Sequence, residues 1–134
     1  MTMNALCLTI LPENLTICRF PACLSLPLWA ADLTETSLLS ITRTQDELSL
    51  VAESKLVPKN VQAEHGWRAI KVVGPLDFAL IGILASLAGT LAQAGVSLFA
   101  LSTFDTDYLL VKEDVLTQAI RALRRAGHLI EEAV

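Results

Sequence analysis

Two aspartates, Asp105 and Asp107, stand in a short polar stretch between two apolar runs of the sequence. A carboxylate in this position can bind an ammonium group or a basic side chain through a charge-assisted hydrogen bond. Acidic residues between two strands also commonly serve only to solvate a turn. The two aspartates therefore have two possible roles, binding a cationic group or solvating the turn.

Residues that could carry out catalysis or hold a metal are scarce and scattered. Neither a Gly-x-Ser-x-Gly nucleophile motif nor a Gly-x-x-x-x-Gly-Lys phosphate loop occurs in the chain. The histidines, His65 and His128, are far apart and are expected as surface or capping residues. The cysteines, Cys7, Cys18 and Cys23, lack metal-site spacing and are expected as reduced, buried thiols. We therefore expect no enzyme, no metal and no cofactor, although a small enzyme without a recognisable signature stays an alternative.

The composition limits the class of protein and its partners. Ten Lys and Arg stand against fourteen Asp and Glu, a net charge of −4. Nucleic-acid binding that does not depend on sequence needs concentrated positive charge, so we expect no nucleic-acid partner. The chain is 53% hydrophobic, which excludes disorder. Its mean hydropathy of +0.54 raises the question of a membrane segment.

An uncharged segment runs from Phe78 to Phe104 and is long enough to span a bilayer. Its apolar residues follow helical spacing only as far as Gly95, and a short run rich in strand-forming residues comes next. A glycine directly after the last periodic residue is a usual helix stop. The segment therefore predicts a helix over Ala79–Ala94, a turn and a buried strand over Val96–Phe104, each too short to cross a membrane.

The C-terminal half predicts a complete βαββαβ unit. Its second predicted helix has one apolar stripe, with acidic residues in the first turn and two arginines in the last. This order is the ferredoxin-like arrangement, an α+β fold with an antiparallel sheet backed by helices. The predicted strands are Trp67–Val73, Val96–Phe104, Asp107–Lys112 and His128–Val134, and the predicted helices are Ala79–Ala94 and Glu113–Ala126.

The N-terminal half predicts a reduced copy of the same unit. A shift of 60 residues (97 − 37) pairs the segment Ser37–Val51 with Ser97–Val111, and a shift of 52 (67 − 15) pairs Leu15–Phe20 with Trp67–Val72. Prolines in the first copy leave no room for full helices. Leu6–Leu11 is expected as an extra strand at its start. The prediction is therefore two tandem units, a degenerate one over residues 1–62 and a complete one over residues 63–134.

Several motifs resemble the ACT domain family. They are the segments Gly74–Phe78, Gly82–Leu87 and Ala92–Phe99, which have the family's acidic turn, its glycine at the first helix, and its Ala-Gly before the second strand. The segment Leu101–Val111 is similar to a branch of small tandem-ACT proteins that includes the cytosolic arginine sensor of animal cells. The resemblance implies a ferredoxin-like ACT pair that binds a free amino acid between ACT units and commonly forms a homodimer.

The resemblance also implies where a ligand would bind. Helix N-termini offer unpaired backbone N–H groups that suit an α-carboxylate, and a glycine permits close approach of a ligand. A carboxylate one strand away suits an α-ammonium group or a basic side chain. Asp77 can instead cap a helix. The ligand-binding residues that the family motifs carry over onto this chain are Asp77, Gly82, Ile83, Thr103, Phe104 and Asp107.

The sequence as a whole leads to a non-catalytic, amino-acid-binding regulatory protein of the ACT type, with allosteric action on a protein partner. The alternative is a ligand-free module for dimerisation or for docking to a metabolic enzyme. No basic residue precedes the first apolar segment, so we expect no export signal and a cytoplasmic location. The large apolar fraction favours a homodimer.

Overall fold

The computed structural model describes residues 5–74 and 82–132, and these form two compact units. Residues 13–67 form one, which we name the N-terminal unit, and residues 5–12 with 68–132 form the C-terminal unit. The strands are β1 Cys7–Ile10, β2 Leu15–Phe20, β3 Ser40–Arg43, β4 Leu48–Glu53, β5 Ala63–Val72, β6 Phe99–Ser102, β7 Asp107–Lys112 and β8 Leu129–Glu132. The helices are α1 Leu28–Ala31, α2 Ile83–Gln93 and α3 Leu116–Arg125, with 3₁₀ turns at Ser54–Leu56 and Glu113–Val115.

The C-terminal unit has the strand order β8-β1-β5-β7-β6. Without β1 this is the fourth-first-third-second order of a ferredoxin-like sheet, which confirms the predicted fold class. β1 lies antiparallel to β5, with Leu8 opposite Val72, and parallel to β8, with Leu8 opposite Ile130. The predicted Leu6–Leu11 strand is therefore present but lies in the C-terminal unit. Placing it in the first copy was wrong, because alternation shows which face a strand buries and not which strands it joins.

The N-terminal unit repeats the same order, as β5-β2-β4-β3. Its fourth strand is the first part of β5, where Cys18 of β2 lies opposite Ala63. Both helices are reduced, the first to the four residues of α1 and the second to the 3₁₀ turn Ser54–Leu56. Pro58 follows that turn in the sequence and prevents its extension.

The repeat has a structural register of 59 residues, so the shift of 60 read from the sequence was wrong by one position. β3 and β6 are 59 apart (99 − 40), as are β4 and β7 (107 − 48) and the two 3₁₀ turns (113 − 54). Apolar residues occur on both sides of each turn, so several registers match almost equally well in sequence. The corrected register pairs Thr44 with Thr103, Asp46 with Asp105, and the buried Leu48 with Asp107.

The core of the C-terminal unit lies between its sheet and its two helices. Leu8 and Ile70 from the sheet, Leu87 and Leu91 from α2, and Leu123 from α3 are each at most 1% exposed. Burying a leucine fully contributes about 1.5–3 kcal/mol of transfer free energy, so this face stabilises both helices. The sheet and the two helices therefore pack as two layers around one core, and the loops at the strand ends are positioned by this packing.

Both long helices end at a glycine with a left-handed backbone, as the sequence predicts. Gly95 has φ 76° and Gly127 has φ 101°. The N–H of Val96 donates to the carbonyl of Leu91 at 2.9 Å, which is the hydrogen bond of a Schellman cap. α2 begins at Ile83, with Gly82 at φ 83° before it, so its described part starts later than the predicted Ala79; residues 79–81 lie outside the described residues.

The uncharged stretch divides into α2, a turn and β6 over its described part, as predicted. The expected burial of the strand was wrong, because among the described strands β6 pairs only with β7 at the edge of the sheet and its residues are half-buried or exposed. β6 is shorter than the predicted Val96–Phe104, since the helix cap uses the N–H of Val96 and a turn begins at Thr103. Across residues 5–74 and 82–132, no helix has the length and hydropathy needed to cross a membrane.

Two side-chain expectations need correction. His128 is 6% exposed rather than a surface residue, although its N–H caps α3 by donating to the Leu123 carbonyl at 3.2 Å. Its Nδ1 accepts a hydrogen bond from the Leu6 N–H at 3.1 Å. That bond joins the start of β1 to the start of β8. Among the cysteines, Cys18 is buried, whereas Cys7 and Cys23 are exposed. Their burial follows the strand faces and turns they occupy, which residue type alone does not reveal.

Candidate functional site

A tight turn between β6 and β7 carries the polar residues that the sequence analysis singled out. The Thr103 N–H donates to the Thr106 carbonyl at 2.8 Å, and the Thr106 N–H donates to Thr103 Oγ1 at 3.2 Å. Threonine side chains commonly stabilise turns in this way. The turn therefore has a fixed backbone, and its side chains are held in a defined arrangement.

A buried hydroxyl ties this turn to the neighbouring strand β5. Thr106 is 5% exposed, and its Oγ1 donates to the Val72 carbonyl at 2.6 Å. Val72 is the last residue of β5, and Gly74 follows two positions later. The bond therefore holds the β6–β7 turn beside the segment that leaves β5.

A small cleft of about 180 Å³ lies where these two segments meet. It contains a cation and a carboxylate, on Lys71 and Asp105. Lys71 Nζ lies 5.9 Å from the centroid of the Tyr108 ring, a distance at which a cation is attracted to the ring face. The lining residues are Lys71, Gly74, Thr103, Asp105, Thr106 and Tyr108.

The Asp107 carboxylate is directed to the other face of β7 from Tyr108, because successive side chains of a strand alternate. Its Oδ1 accepts a hydrogen bond from Ser102 Oγ at 2.7 Å, and Ser102 is its directly paired residue on β6. A carboxylate has further acceptor sites besides this one. Asp107 is therefore oriented by Ser102, and it is not among the residues that line the cleft.

The other residues inferred from the family motifs occupy several places. Thr103 lines the cleft, whereas Phe104 stands at the turn with its side chain 80% exposed. Gly82 is exposed and accepts the first helical hydrogen bond of α2, from the Ser86 N–H at 2.8 Å. Ile83 is half-buried and packs against the core of the C-terminal unit. Asp77 lies outside the described residues.

Sequence reasoning missed four lining residues, Lys71, Gly74, Thr106 and Tyr108. Lys71 and Tyr108 sit on predicted strands, where a lone polar residue normally indicates the solvated face. The signal that could have found them is the alternation within β5 and β7, once the two strands are known to be neighbours. That pairing is a property of the fold and cannot be read from either strand alone.

The equivalent turn of the N-terminal unit has the same backbone hydrogen bonds. The Thr44 N–H donates to the Glu47 carbonyl at 2.9 Å, and the Glu47 N–H donates to Thr44 Oγ1 at 3.1 Å. The guanidinium group of Arg19 donates to the Asp46 carbonyl at 3.2 Å, and that of Arg43 to the Ala22 carbonyl at 2.5 Å. The two units thus share a turn but differ in the side chains around it.

Comparison with protein-family models gives two matches along the chain. Residues 62–125 match the model of an ACT domain, and residues 13–60 match a model described as an N-terminal domain. A crystal structure of a protein from Agrobacterium tumefaciens is 35% identical, covers 98% of this chain and 96% of its own, and superposes with a TM-score of 0.90. A regulatory subunit of aspartate kinase from Thermus flavus, 11% identical, covers 92% of this chain and 99% of its own with a TM-score of 0.61, which shows the same fold.

Curated relatives are subunits named cytosolic arginine sensor for mTORC1. The human protein is 43% identical over 60 residues, which are 44% of this chain and 18% of the sensor. The rat protein is 31% identical over 106 residues, 78% of this chain and 31% of the sensor. The chain thus spans less than a third of the length of these relatives. The family model matches residues 62–125 and the strand order of the C-terminal unit agrees with it, so this chain carries an ACT domain.

Proposed function

We propose that this chain is a non-catalytic regulatory protein that binds a free amino acid. The observation that carries the proposal is the cleft of the C-terminal unit, where a cation and a carboxylate lie on one small cavity. A free amino acid carries both opposite charges on adjacent groups, so it matches such a cleft chemically. The curated relatives are named as arginine sensors, which makes arginine the first amino acid to test.

The proposed ligand-binding residues are Asp77, Gly82, Ile83, Thr103, Phe104 and Asp107, with the ligand held between ACT units. Thr103 lines the cleft, which supports its place in this set, whereas Asp107 lies outside the cleft and enters the set through the family motifs. Gly82 and Ile83 stand where α2 begins, and the first N–H groups of a helix lack intrahelical partners. These groups suit an α-carboxylate.

Regulation in this proposal requires that the amino acid and a protein partner affect each other's affinity. The chain acts as a cytosolic homodimer that needs no cofactor. Binding of the amino acid stabilises one arrangement of the ACT units and thereby changes association with the partner. In the rival function the same fold serves only for dimerisation or docking, and no amino acid affects it.

A thermal-shift screen of the twenty standard amino acids against the purified chain tests the proposal. One amino acid at about 100 times its Kd adds about 2.7 kcal/mol to the stability and raises Tm by about 10 °C. Asp107→Ala is expected to lose this shift while it keeps the unliganded Tm within about 2 °C, since a half-exposed residue contributes little to stability. If no amino acid raises Tm, the proposed function is wrong.

A further inference from the structure

The cleft of the C-terminal unit holds opposite charges that the family motifs do not assign to the ligand. Lys71 and Asp105 lie on its lining, one from β5 and one from the β6–β7 turn. We propose that Lys71 binds the α-carboxylate of the ligand and that Asp105 binds its α-ammonium group. This inference rests on the proposed function, and it names the groups that recognise the backbone part of an amino acid.

In the N-terminal unit, the residue equivalent to Lys71 forms a hydrogen bond within the protein. Arg19 is the counterpart of Lys71 (71 − 52), and its guanidinium group donates to the carbonyl of Asp46, the counterpart of Asp105 (105 − 59). Arg43 donates likewise to Ala22, the counterpart of Gly74 (74 − 52). The N-terminal unit therefore joins its strand and turn through its own arginine side chains.

The C-terminal unit lacks both of these internal contacts. The counterpart of Arg43 is Ser102 (102 − 59), and its hydroxyl donates to Asp107 instead. Lys71 has the ring of Tyr108 as its contact, and over residues 5–74 and 82–132 no carboxylate forms an ion pair with it. An aromatic face positions an ammonium group without neutralising its charge. The positive charge of Lys71 is therefore available to an anionic group in the cleft.

The threonine hydroxyls of the cleft already form hydrogen bonds within the protein. Thr103 and Thr106 use their hydroxyls within the turn and towards Val72. Lys71 and Asp105 are the charged residues that line the cleft and can select a charged ligand. A volume of about 180 Å³ is below the range of about 300–1,000 Å³ typical of sites for drug-sized ligands. It suits the compact zwitterionic head of an amino acid.

The test measures binding of the twenty L-amino acids to wild type and variants by isothermal titration calorimetry. For the amino acid that binds most tightly, its α-carboxamide and its α-N-acetyl derivative are measured as well. Lys71→Met and Asp105→Asn are each expected to weaken binding by about tenfold, the value of one charge-assisted hydrogen bond. Each of the two derivatives is expected to bind wild type about tenfold more weakly than the amino acid.

Matched controls separate the cleft from general charge effects. Lys112→Met removes a half-buried lysine four residues beyond Tyr108 on the same strand, about 13 Å away along β7. Asp46→Asn is the same substitution as Asp105→Asn, at the equivalent position in the turn of the N-terminal unit. Both controls are expected to bind the amino acid as tightly as wild type, and Lys71→Arg is expected to retain most of the affinity.

The outcomes distinguish this inference from the function on which it rests. If wild type binds an amino acid and Lys71→Met binds it equally well, the inference is wrong and the proposed function stands. Equal loss in Lys112→Met and Lys71→Met also overturns the inference, since the effect is then one of net charge. If wild type binds none of the twenty amino acids, both fail. Should Lys71→Met not fold, tight binding of the α-carboxamide to wild type refutes the role of Lys71.

Discussion

Two threonine side chains fix the β6–β7 turn, and both act on backbone atoms. Thr103 Oγ1 donates to the Thr106 carbonyl at 3.0 Å within the turn, while Thr106 reaches across to Val72 on β5. The first of these bonds is repeated by Thr44 in the other unit, and the second has no counterpart because Glu47 replaces the threonine. The bond from Thr106 to β5 therefore distinguishes the turn that carries the cleft.

Replacing Thr106 with valine removes this bond at nearly constant volume and leaves the Val72 carbonyl buried without its partner. Such a loss costs about 1–3 kcal/mol. Urea unfolding monitored by circular dichroism is expected to show a destabilisation of this size. Thr117→Val, on the exposed side of α3, changes the same atoms and is expected to stay within about 0.5 kcal/mol of wild type. A Thr106→Val variant as stable as Thr117→Val contradicts the role assigned to the hydroxyl.

The sequence was informative about some site residues and not about others. Thr103 could be found because a threonine after a strand, followed by an acidic residue, is a turn signal. Lys71 could not, since its partners come from a strand more than thirty residues away in the chain. Asp107 and Tyr108 are successive residues of one strand and occupy opposite faces, but the register decides which of them faces the cleft.

At the scale of elements, local signals fixed the helix ends and left the strand partners open. Gly95 and Gly127 end their helices as predicted because a left-handed residue is favourable for glycine and costly for others. β7 has the predicted bounds Asp107–Lys112, since polar residues border its apolar run. The position of β1 between β5 and β8 was missed, because Leu8 and Ile10 show an apolar face that fits many sheets.

The join between β1 and β8 makes the stability depend on pH. His128 accepts the Leu6 N–H through Nδ1, so this nitrogen must be unprotonated, and burial lowers the pKa of His128 below 6.5. Below pH 6.5 the folded chain then binds fewer protons than the unfolded chain. The contribution of neutral His128 to the stability is therefore complete above pH 6.5 and is lost as the pH falls through the pKa of His128 in the folded chain. Urea unfolding between about pH 8 and pH 5 is expected to show this loss.

The His128→Asn variant isolates that effect. An asparagine oxygen can accept the Leu6 N–H in place of Nδ1 but does not titrate, so the variant is expected to lose less stability on acidification than wild type. Identical pH dependence in wild type and His128→Asn contradicts the assignment.

At the scale of the whole molecule, one strand order serves two units with different side-chain chemistry. In each unit a side-chain contact joins one strand to a 3₁₀ turn: β2 to the turn after β4 in the N-terminal unit, and β5 to the turn after β7 in the C-terminal unit. The N-terminal unit does so through Thr16 and Ser54 hydroxyls 2.8 Å apart, and the C-terminal unit through an Arg68–Glu113 ion pair at 3.6 Å. These ties occupy equivalent positions (68 − 16 is 52 and 113 − 54 is 59), so the two units use different contacts at the same place in the fold.

The architecture was predictable because periodicity, glycine stops and the repeat all indicated the same fold. The excess of apolar residues, which first suggested a membrane segment, fills the cores of two small units. The ligand class was not predictable from these patterns, since a fold hosts many functions and the chemistry lies in its sites. The family resemblance led to the proposal of an amino acid as the ligand. The charged residues of the cleft give that proposal a physical basis.

The most direct test of the account is equilibrium dialysis of the purified chain against an equal mixture of the twenty standard amino acids. After equilibration, each amino acid is quantified on both sides of the membrane by mass spectrometry. The account predicts that one amino acid is enriched on the protein side in a saturable manner, while its total amount stays constant because the protein does not transform it. Equal concentrations of all twenty on both sides, or conversion of one into a new product, would contradict it.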